Sequence, residues 1–217
     1  MTDVVLLDFD GTITSKDTTK ILLKELIILR PLRVFSLVWF VLNMLRSNNS
    51  VIQQHYKNKA IGHLIAGISE SQLKSALHIF SGKVEKLHRP LLLKKIKEAH
   101  QNGASVLIVS ASPSFAVSKC VADLPVTVIA TEFKKSGNFY CGQLNGQNCY
   151  GGEKVSRIEL WSQEQKLNCS YTEAWSDHFS DYSMLRLAKQ RYWIGGPVLR
   201  KIVSEKDPDG NFVLINK

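Results

Sequence analysis

A chain of 217 residues, 44% of them hydrophobic, with 28 Lys plus Arg against 19 Asp plus Glu, carries a formal charge of +9. This is an ordinary globular composition, and it excludes intrinsic disorder, collagen and small disulfide scaffolds. The length suffices for a domain with a sizeable insert to fold without disulfides or structural metal, while the charge favours anionic partners without choosing among phosphorylated metabolites, nucleic acid and lipid headgroups.

Met1-Thr2-Asp3 starts acidic and leads into a short apolar run, without the basic region and length of a secretory signal. A cytoplasmic protein is therefore expected. The run itself, Asp3 to Phe9, has the length and continuity of a central strand covered on both faces, and it delivers Asp8-Phe9-Asp10-Gly11-Thr12 at its end. From Lys16 to Gln101 apolar residues recur at helical spacing and Gly and Pro are sparse, which predicts a helical block.

Within that block, residues 31–45 are the most apolar of the chain. Val34 to Leu45 contains no charge, yet it falls well short of the about 18 to 20 residues that cross a bilayer. A buried helix is the first expectation. A helix lying in a membrane surface is the second, because Trp39 and the flanking Arg30, Arg33 and Arg46 also suit an interface. The basic residues Lys83, Lys86, Arg89, Lys94, Lys95 and Lys97 are interleaved with apolar ones and read as a solvated helix face, so no nucleic-acid partner is expected.

Ala104 to Val109 is the second predicted strand and ends in Ser110-Ala111-Ser112-Pro113. A helix over Phe115 to Ala122 follows, then a strand over Val126 to Thr131 and a hairpin within Asn138 to Tyr150. Next come a helix over Glu153 to Gln165, a strand over Tyr171 to Ser176, a helix over Tyr182 to Gln190 and a strand over Tyr192 to Ile194. Strands alternating with helices predict an α/β protein with a parallel sheet, in which the helical block is an insertion after the first strand. The division expected is a core of residues 1–14 and 98–217 with a helical cap of 15–97. Cys120, Cys141, Cys149 and Cys169 form no CxxC pair and no zinc pattern, and read as reduced structural thiols.

The residues with chemistry to offer fall at the strand ends, where open parallel sheets bind ligands. Asp8 and Asp10 are close enough to repel, which calls for a divalent cation or a shared proton, and a carboxylate can attack phosphorus to give an acyl phosphate. A turn with a capping Thr is the plainer alternative. Ser110 could receive phosphate oxygens with the next N–H, or cap a helix. Lys154, in the first turn of its helix, could offset phosphoryl charge, or be solvated. Asp177 and Asp181 supply the oxygen that Mg²⁺ requires, or cap the next helix. His178 between them reads as a surface residue, because a hard cation prefers oxygen.

In chain order these are Asp-x-Asp-Gly-Thr, Ser, Lys and Asp-x-x-x-Asp, and together they resemble the haloacid dehalogenase superfamily of phosphohydrolases, in its phosphoserine-phosphatase-like branch. The resemblance implies a Rossmann-like core with a helical cap inserted after the first strand. It makes Asp8 the nucleophile and Asp10 the acid and then base. Ser110 and the Ala111 N–H would receive the phosphoryl oxygens, and Lys154 would steady the transferring group. Asp8, Asp177 and the Asp10 carbonyl would hold Mg²⁺, supported by Asp181. Gly11, Thr12, Asp17, Ala111 and Ser112 are expected at the substrate.

Two departures bear on the substrate. Asp17 stands where phosphoserine phosphatases typically carry Glu, and Ser110 is followed by Ala-Ser instead of Gly-Gly. Asp17 could equally be a helix N-cap. Gly152-Glu153-Lys154-Val155, Ser176-Asp177 and the early apolar helix look like phosphatidylglycerophosphatase C-type enzymes, which implies a lipid phosphate and a peripheral membrane contact through residues 31–45. The expectation is an Mg²⁺-dependent phosphomonoester hydrolase acting on a small phosphometabolite or a lipid-linked phosphate, with a phosphatidylglycerophosphate phosphatase at the membrane surface and a phosphoserine phosphatase as alternatives and a catalytically silent binding protein as the non-enzyme one.

Overall fold

The computed structural model describes residues 1–215. Its centre is β1 (Thr2–Leu7), whose Val4, Val5, Leu6 and Leu7 are all buried. Because side chains alternate along a strand, Val5 and Leu7 join one core and Val4 and Leu6 another on the opposite face. β2 (Ser105–Pro113) repeats the pattern, with Val106 and Ile108 on the first face and Leu107 and Val109 on the second.

Six strands form a parallel sheet in the order β3-β2-β1-β6-β7-β8. Its other members are β3 (Thr127–Thr131), β6 (Cys169–Ser176), β7 (Gln190–Gly195) and β8 (Asn211–Leu214). The chain builds outward on one side of β1 and later on the other, so β1 and β6 flank the topological switch point where the carboxyl ends leave a crevice. The α/β parallel-sheet expectation is met.

Five helices lie between β1 and β2: α1 (Thr19–Leu29), α2 (Val34–Arg46), α3 (Ser50–Ile65), α4 (Glu70–Glu85) and α5 (Pro90–Gln101). Local chemistry sets their starts. The Asn49 side chain accepts from Val51 N, Ser69 and Gln72 form a capping box, and Pro90 opens α5. Leu92 and Ile96 of α5 are buried, and the boundary drawn between residues 97 and 98 falls inside this helix.

The remaining helices are α6 (Ser114–Cys120), α7 (Gly152–Glu164), α8 (Tyr182–Leu185) and α9 (Pro197–Lys206). A two-stranded hairpin of β4 (Phe133–Ser136) and β5 (Phe139–Leu144) lies against α3. It turns at Gly137, whose φ is +56°, so it begins ahead of the Asn138 to Tyr150 window. The helix expected to reach Gln190 ends at Leu185, and α9 and β8 are additions that the sequence reading lacked.

Three further differences have physical causes. In α2 only Leu37 is buried, while Phe35 is 79%, Trp39 59% and Leu45 70% exposed, which corrects the expectation of a buried helix. Hydropathy reports a preference for burial and cannot supply a covering surface. The basic series does not form one solvated face: Lys83 pairs with the buried Glu25 at 2.6 Å, Lys95 pairs with Glu173 at 2.8 Å, and Arg89 reaches the first turn. All four cysteines are unpaired, as expected.

Candidate active site

β1 ends by donating Asp8 N to Trp175 O of β6 at 3.0 Å, which fixes the Asp8 backbone at the switch point. The chain then winds through one wide turn, Phe9–Ile13, with Gly11 at φ +81°. A Cβ on Gly11 would stand 1.9 Å from Asp177 Oδ2, so both backbone conformation and space demand glycine here. The turn brings the Thr12 hydroxyl to 3.0 Å from Asp8 Oδ2 and 3.4 Å from Asp177 Oδ1, while Asp177 N donates back to it at 3.0 Å.

Lys154 lies in the first turn of α7 and is 2% exposed. Its ammonium donates to Asp8 Oδ1 at 2.7 Å and to Asp181 Oδ2 at 2.8 Å, and Ser176 Oγ donates to the same Asp181 oxygen at 2.8 Å. Burial pushes the Asp8 carboxyl up to about 8 against the pull of Lys154, with Asp181 and Asp177 adding to the rise. Asp177 is raised to about 6, by burial first and then by Asp181. Burial alone would lower Lys154, but its two carboxylate partners outweigh that and raise it.

Asp10 faces a different set of donors. The Thr18 amide and hydroxyl both donate to its Oδ1 at 2.7 Å, and Ser112 Oγ donates to Oδ2 at 2.5 Å. Ser110 is 1% exposed, and its Oγ accepts from Ser112 N at 3.0 Å.

These groups surround a cleft of about 330 Å³ in which Asp8, Asp10, Gly11, Ser110, Lys154 and Asp177 share a wall. Ala111, Asp181 and Asp17 also line it; Asp17 Oδ1 accepts from Thr19 N at 2.7 Å just ahead of α1, whose N-cap is Thr18. Thr12 and Ser112, expected at the substrate, are not on the wall. Thr12 ties Asp8 to Asp177, and Ser112 holds Asp10. His178 bonds Ser180 within its own turn, and both residues line the cleft, so His178 is exposed at the site and not merely on the surface.

The sequence reading missed Thr18, whose two bonds to Asp10 arise only when the chain folds back. It also missed Arg89, which donates to Gly11 O at 3.3 Å. Ser50, Gln53, Gln54 and Lys57 of α3 close the far side of the cleft. The helical spacing of α3 gave no sign of which face would border the cleft.

Among the described residues no three His, Cys, Asp or Glu side chains converge as a metal-binding group. The expected set nevertheless suits a magnesium ion. Asp8 and Asp177 are two carboxylates joined through Thr12, and Mg²⁺ is commonly held by one or two carboxylates, waters and substrate phosphate. The Asp10 carboxylate is taken up by Thr18 and Ser112, which leaves its carbonyl for that role. Asp181 is turned to Lys154. Five carboxylates, of Asp8, Asp10, Asp17, Asp177 and Asp181, line the cleft against two lysines, Lys57 and Lys154, an imbalance that a divalent cation would relieve.

Residues 5–186 match the haloacid dehalogenase-like hydrolase family. The chain is 27% identical over 201 residues to Protein CicA of Caulobacter vibrioides, covering 87% of this chain and 84% of that one. Among solved structures, a protein of unknown function from Bordetella pertussis Tohama I superposes with a TM-score of 0.82 at 17% identity, covering 98% of each chain. A phospho-aspartyl intermediate analogue of phosphoserine phosphatase gives 0.61 at 15% identity, covering 100% of this chain and 94% of that one. At these identities the two structures report the fold.

Proposed function

The chain belongs to the haloacid dehalogenase-like hydrolases, and from that premise we propose that it hydrolyses phosphate monoesters through an aspartyl-phosphate, with Mg²⁺ as cofactor. The observation that carries this reading is the Lys154 ammonium between Asp8 and Asp181 at the end of the cleft. A carboxylate that attacks a dianionic ester needs fixed positive charge beside it.

In this scheme a carboxylate oxygen of Asp8 bonds to phosphorus as the bond from phosphorus to the ester oxygen breaks. Asp10 gives its proton to the departing alkoxide, which leaves as the alcohol. Asp10, now ionised, takes a proton from a water that attacks the aspartyl-phosphate, and inorganic phosphate and free Asp8 result. Lys154 offsets the charge of the transferring group, while Ser110 Oγ and the Ala111 N–H receive its oxygens. Mg²⁺, held by Asp8, Asp177 and the Asp10 carbonyl, would neutralise phosphoryl charge.

Phosphoserine is the less favoured substrate, since Asp17 is shorter than the Glu that phosphoserine phosphatases typically carry there and one of its oxygens already accepts from Thr19 N. A small phosphometabolite in the cytoplasm remains the leading reading.

The experiment is phosphate release from p-nitrophenyl phosphate. Wild-type protein should turn over in Mg²⁺ and stop in excess chelator, and Asp8→Asn should be inactive. Wild-type rates in Asp8→Asn would refute the scheme, and no release from any ester would favour the catalytically silent binding protein.

One observation favours a second reading, a lipid-linked phosphate taken at a membrane surface. Phe35, Val38, Trp39, Leu42 and Leu45 are exposed along α2, and residues 26–69 contain no Asp or Glu but include Arg30, Arg33, Arg46, Lys57 and Lys59. An apolar face rimmed by cations suits an anionic bilayer interface. No helix among the described residues is long and apolar enough to cross a membrane. Trp39 fluorescence should shift to the blue with phosphatidylglycerol vesicles and stay unchanged with phosphatidylcholine; an unchanged spectrum in both would dismiss this reading.

A further inference from the structure

Beside the catalytic cleft lies a second hollow of about 510 Å³, between α3 and the segment that joins β5 to α7. Gln54 and Tyr150 line both spaces, so the two share a wall. Close packing anchors one end of α3. A Cβ on Gly62 would stand 2.1 Å from Gly142 O, and one on Gly142 would stand 2.6 Å from Gly62 O, so helix and strand meet backbone to backbone there. Asn58, one turn nearer the start of the helix, lies on the wall of the hollow.

Asn58 is 5% exposed, and neither its amide oxygen nor its amide nitrogen has a hydrogen-bond partner among the described residues. Gln54 Oε1 is likewise buried and unpartnered. Residues four apart share one face of a helix, so both amides lie on the side of α3 that borders the hollow. Native proteins leave few buried polar atoms unsatisfied because each costs folding free energy. Two such residues in succession, both on cavity walls, point to a ligand that completes them. Val51 and Leu144 add aliphatic surface. The carboxylate of Glu153 at the edge is already paired with Arg157.

We infer that this hollow binds the alcohol portion of the substrate, and that the alcohol is an amphiphilic group larger than a glyceryl or seryl unit. It offers a hydrogen-bond donor and acceptor to Asn58 and Gln54, and apolar surface to Val51 and Leu144. The inference rests on the phosphomonoesterase reading, which puts the phosphoryl group at Asp8. Two sources carry this chemistry, a nucleoside with its base edge and a glycerolipid with its hydroxyl and ester groups.

The test uses Asn58→Leu, which keeps the size of the side chain and removes both unpaired atoms. The probes are adenosine 5′-monophosphate, a short-chain phosphatidylglycerophosphate kept monomeric, and glycerol 3-phosphate as the minimal ester. Wild-type protein should show a KM about tenfold or more lower for one of the two amphiphilic esters than for glycerol 3-phosphate, the scale of one or two hydrogen bonds. Which ester it is identifies the source. Asn58→Leu should lose that preference, keep its kcat on glycerol 3-phosphate, and melt at the same or a higher temperature.

Three results would overturn the inference: equal KM values in the wild type, a preference retained in Asn58→Leu, or a lower melting temperature that marks Asn58 as structural. Calorimetric binding to Asp8→Asn protein separates this inference from the reading beneath it. A preference in binding that Asn58→Leu abolishes, alongside a wild type that releases no phosphate, overturns the hydrolase reading and leaves the subsite standing. Turnover without preference overturns the subsite alone.

Discussion

The ammonium of Lys154 lies 2.7 Å from the Asp8 carboxylate, joining two buried residues that stand 146 positions apart in the chain. With Asp181 at 2.8 Å on its other side, Lys154 is the positive centre of an acidic pocket. Lys154→Met is expected to leave two buried carboxylates without their cation. Removing one partner of a buried pair costs about 3–5 kcal/mol, so the melting temperature should fall clearly and turnover should be lost. A variant that melts like the wild type would show that the pair contributes little to stability.

The two supports of Asp10 lead to a split by leaving group. Asp10→Asn removes the proton donor, and general acid catalysis contributes about 10²-fold or more. Turnover of an alkyl phosphate should therefore fall much further than that of p-nitrophenyl phosphate, whose leaving group departs without protonation. Ser112→Ala, which deletes the 2.5 Å bond to Asp10 Oδ2, should show the same split at smaller size. Equal losses on both esters would argue against Asp10 as the acid.

Gly11→Ala meets two obstacles at once. The φ of +81° strains any side chain, and the new Cβ would fall 1.9 Å from Asp177 Oδ2. Asp177 must shift, and with it an oxygen expected to hold Mg²⁺. A weaker apparent Mg²⁺ affinity in activity titrations is the expected outcome, together with a lower melting temperature. Unchanged values for both would refute the close approach of this turn to β6.

Asp207 gives a dependence on pH away from the cleft. Burial alone would raise its carboxyl, but hydrogen bonds from Arg191 and Trp193 outweigh that and hold it below the ordinary value. The bonds run from Arg191 at 2.8 and 3.1 Å and from Trp193 Nε1 at 2.7 Å. A carboxyl with a depressed folded pKa contributes stability above its unfolded value of about 3.9 and loses it as the pH falls through the folded one. Asp207→Asn should therefore melt below the wild type at pH 7, with the gap closing under about pH 4. A gap that stays constant across that range would exclude the charge as its cause.

The residues themselves settled the outline of the molecule. An apolar run of strand length ending in Asp8-Phe9-Asp10-Gly11-Thr12 has few ways to fold other than as a central strand, because both of its faces seek cover. The alternation of later strands and helices then implied a parallel sheet, and ligand chemistry at its carboxyl ends followed. α9 and β8 escaped notice since Pro197–Lys206 is amphipathic and short and Asn211–Leu214 is only four residues long.

Tertiary structure alone decided which groups support which. Thr18 and Ser112 reach Asp10 from different elements, Thr12 turns back on Asp8 and Asp177, and Asn58 faces a hollow. Such pairings depend on the path of the chain between distant segments, and no local pattern encodes that path. The exposed face of α2 is the plainest case. Its apolar side chains are written in the sequence, but whether another surface covers them depends on how the neighbouring helices pack, and Phe35, Val38, Trp39, Leu42 and Leu45 stay exposed among the described residues.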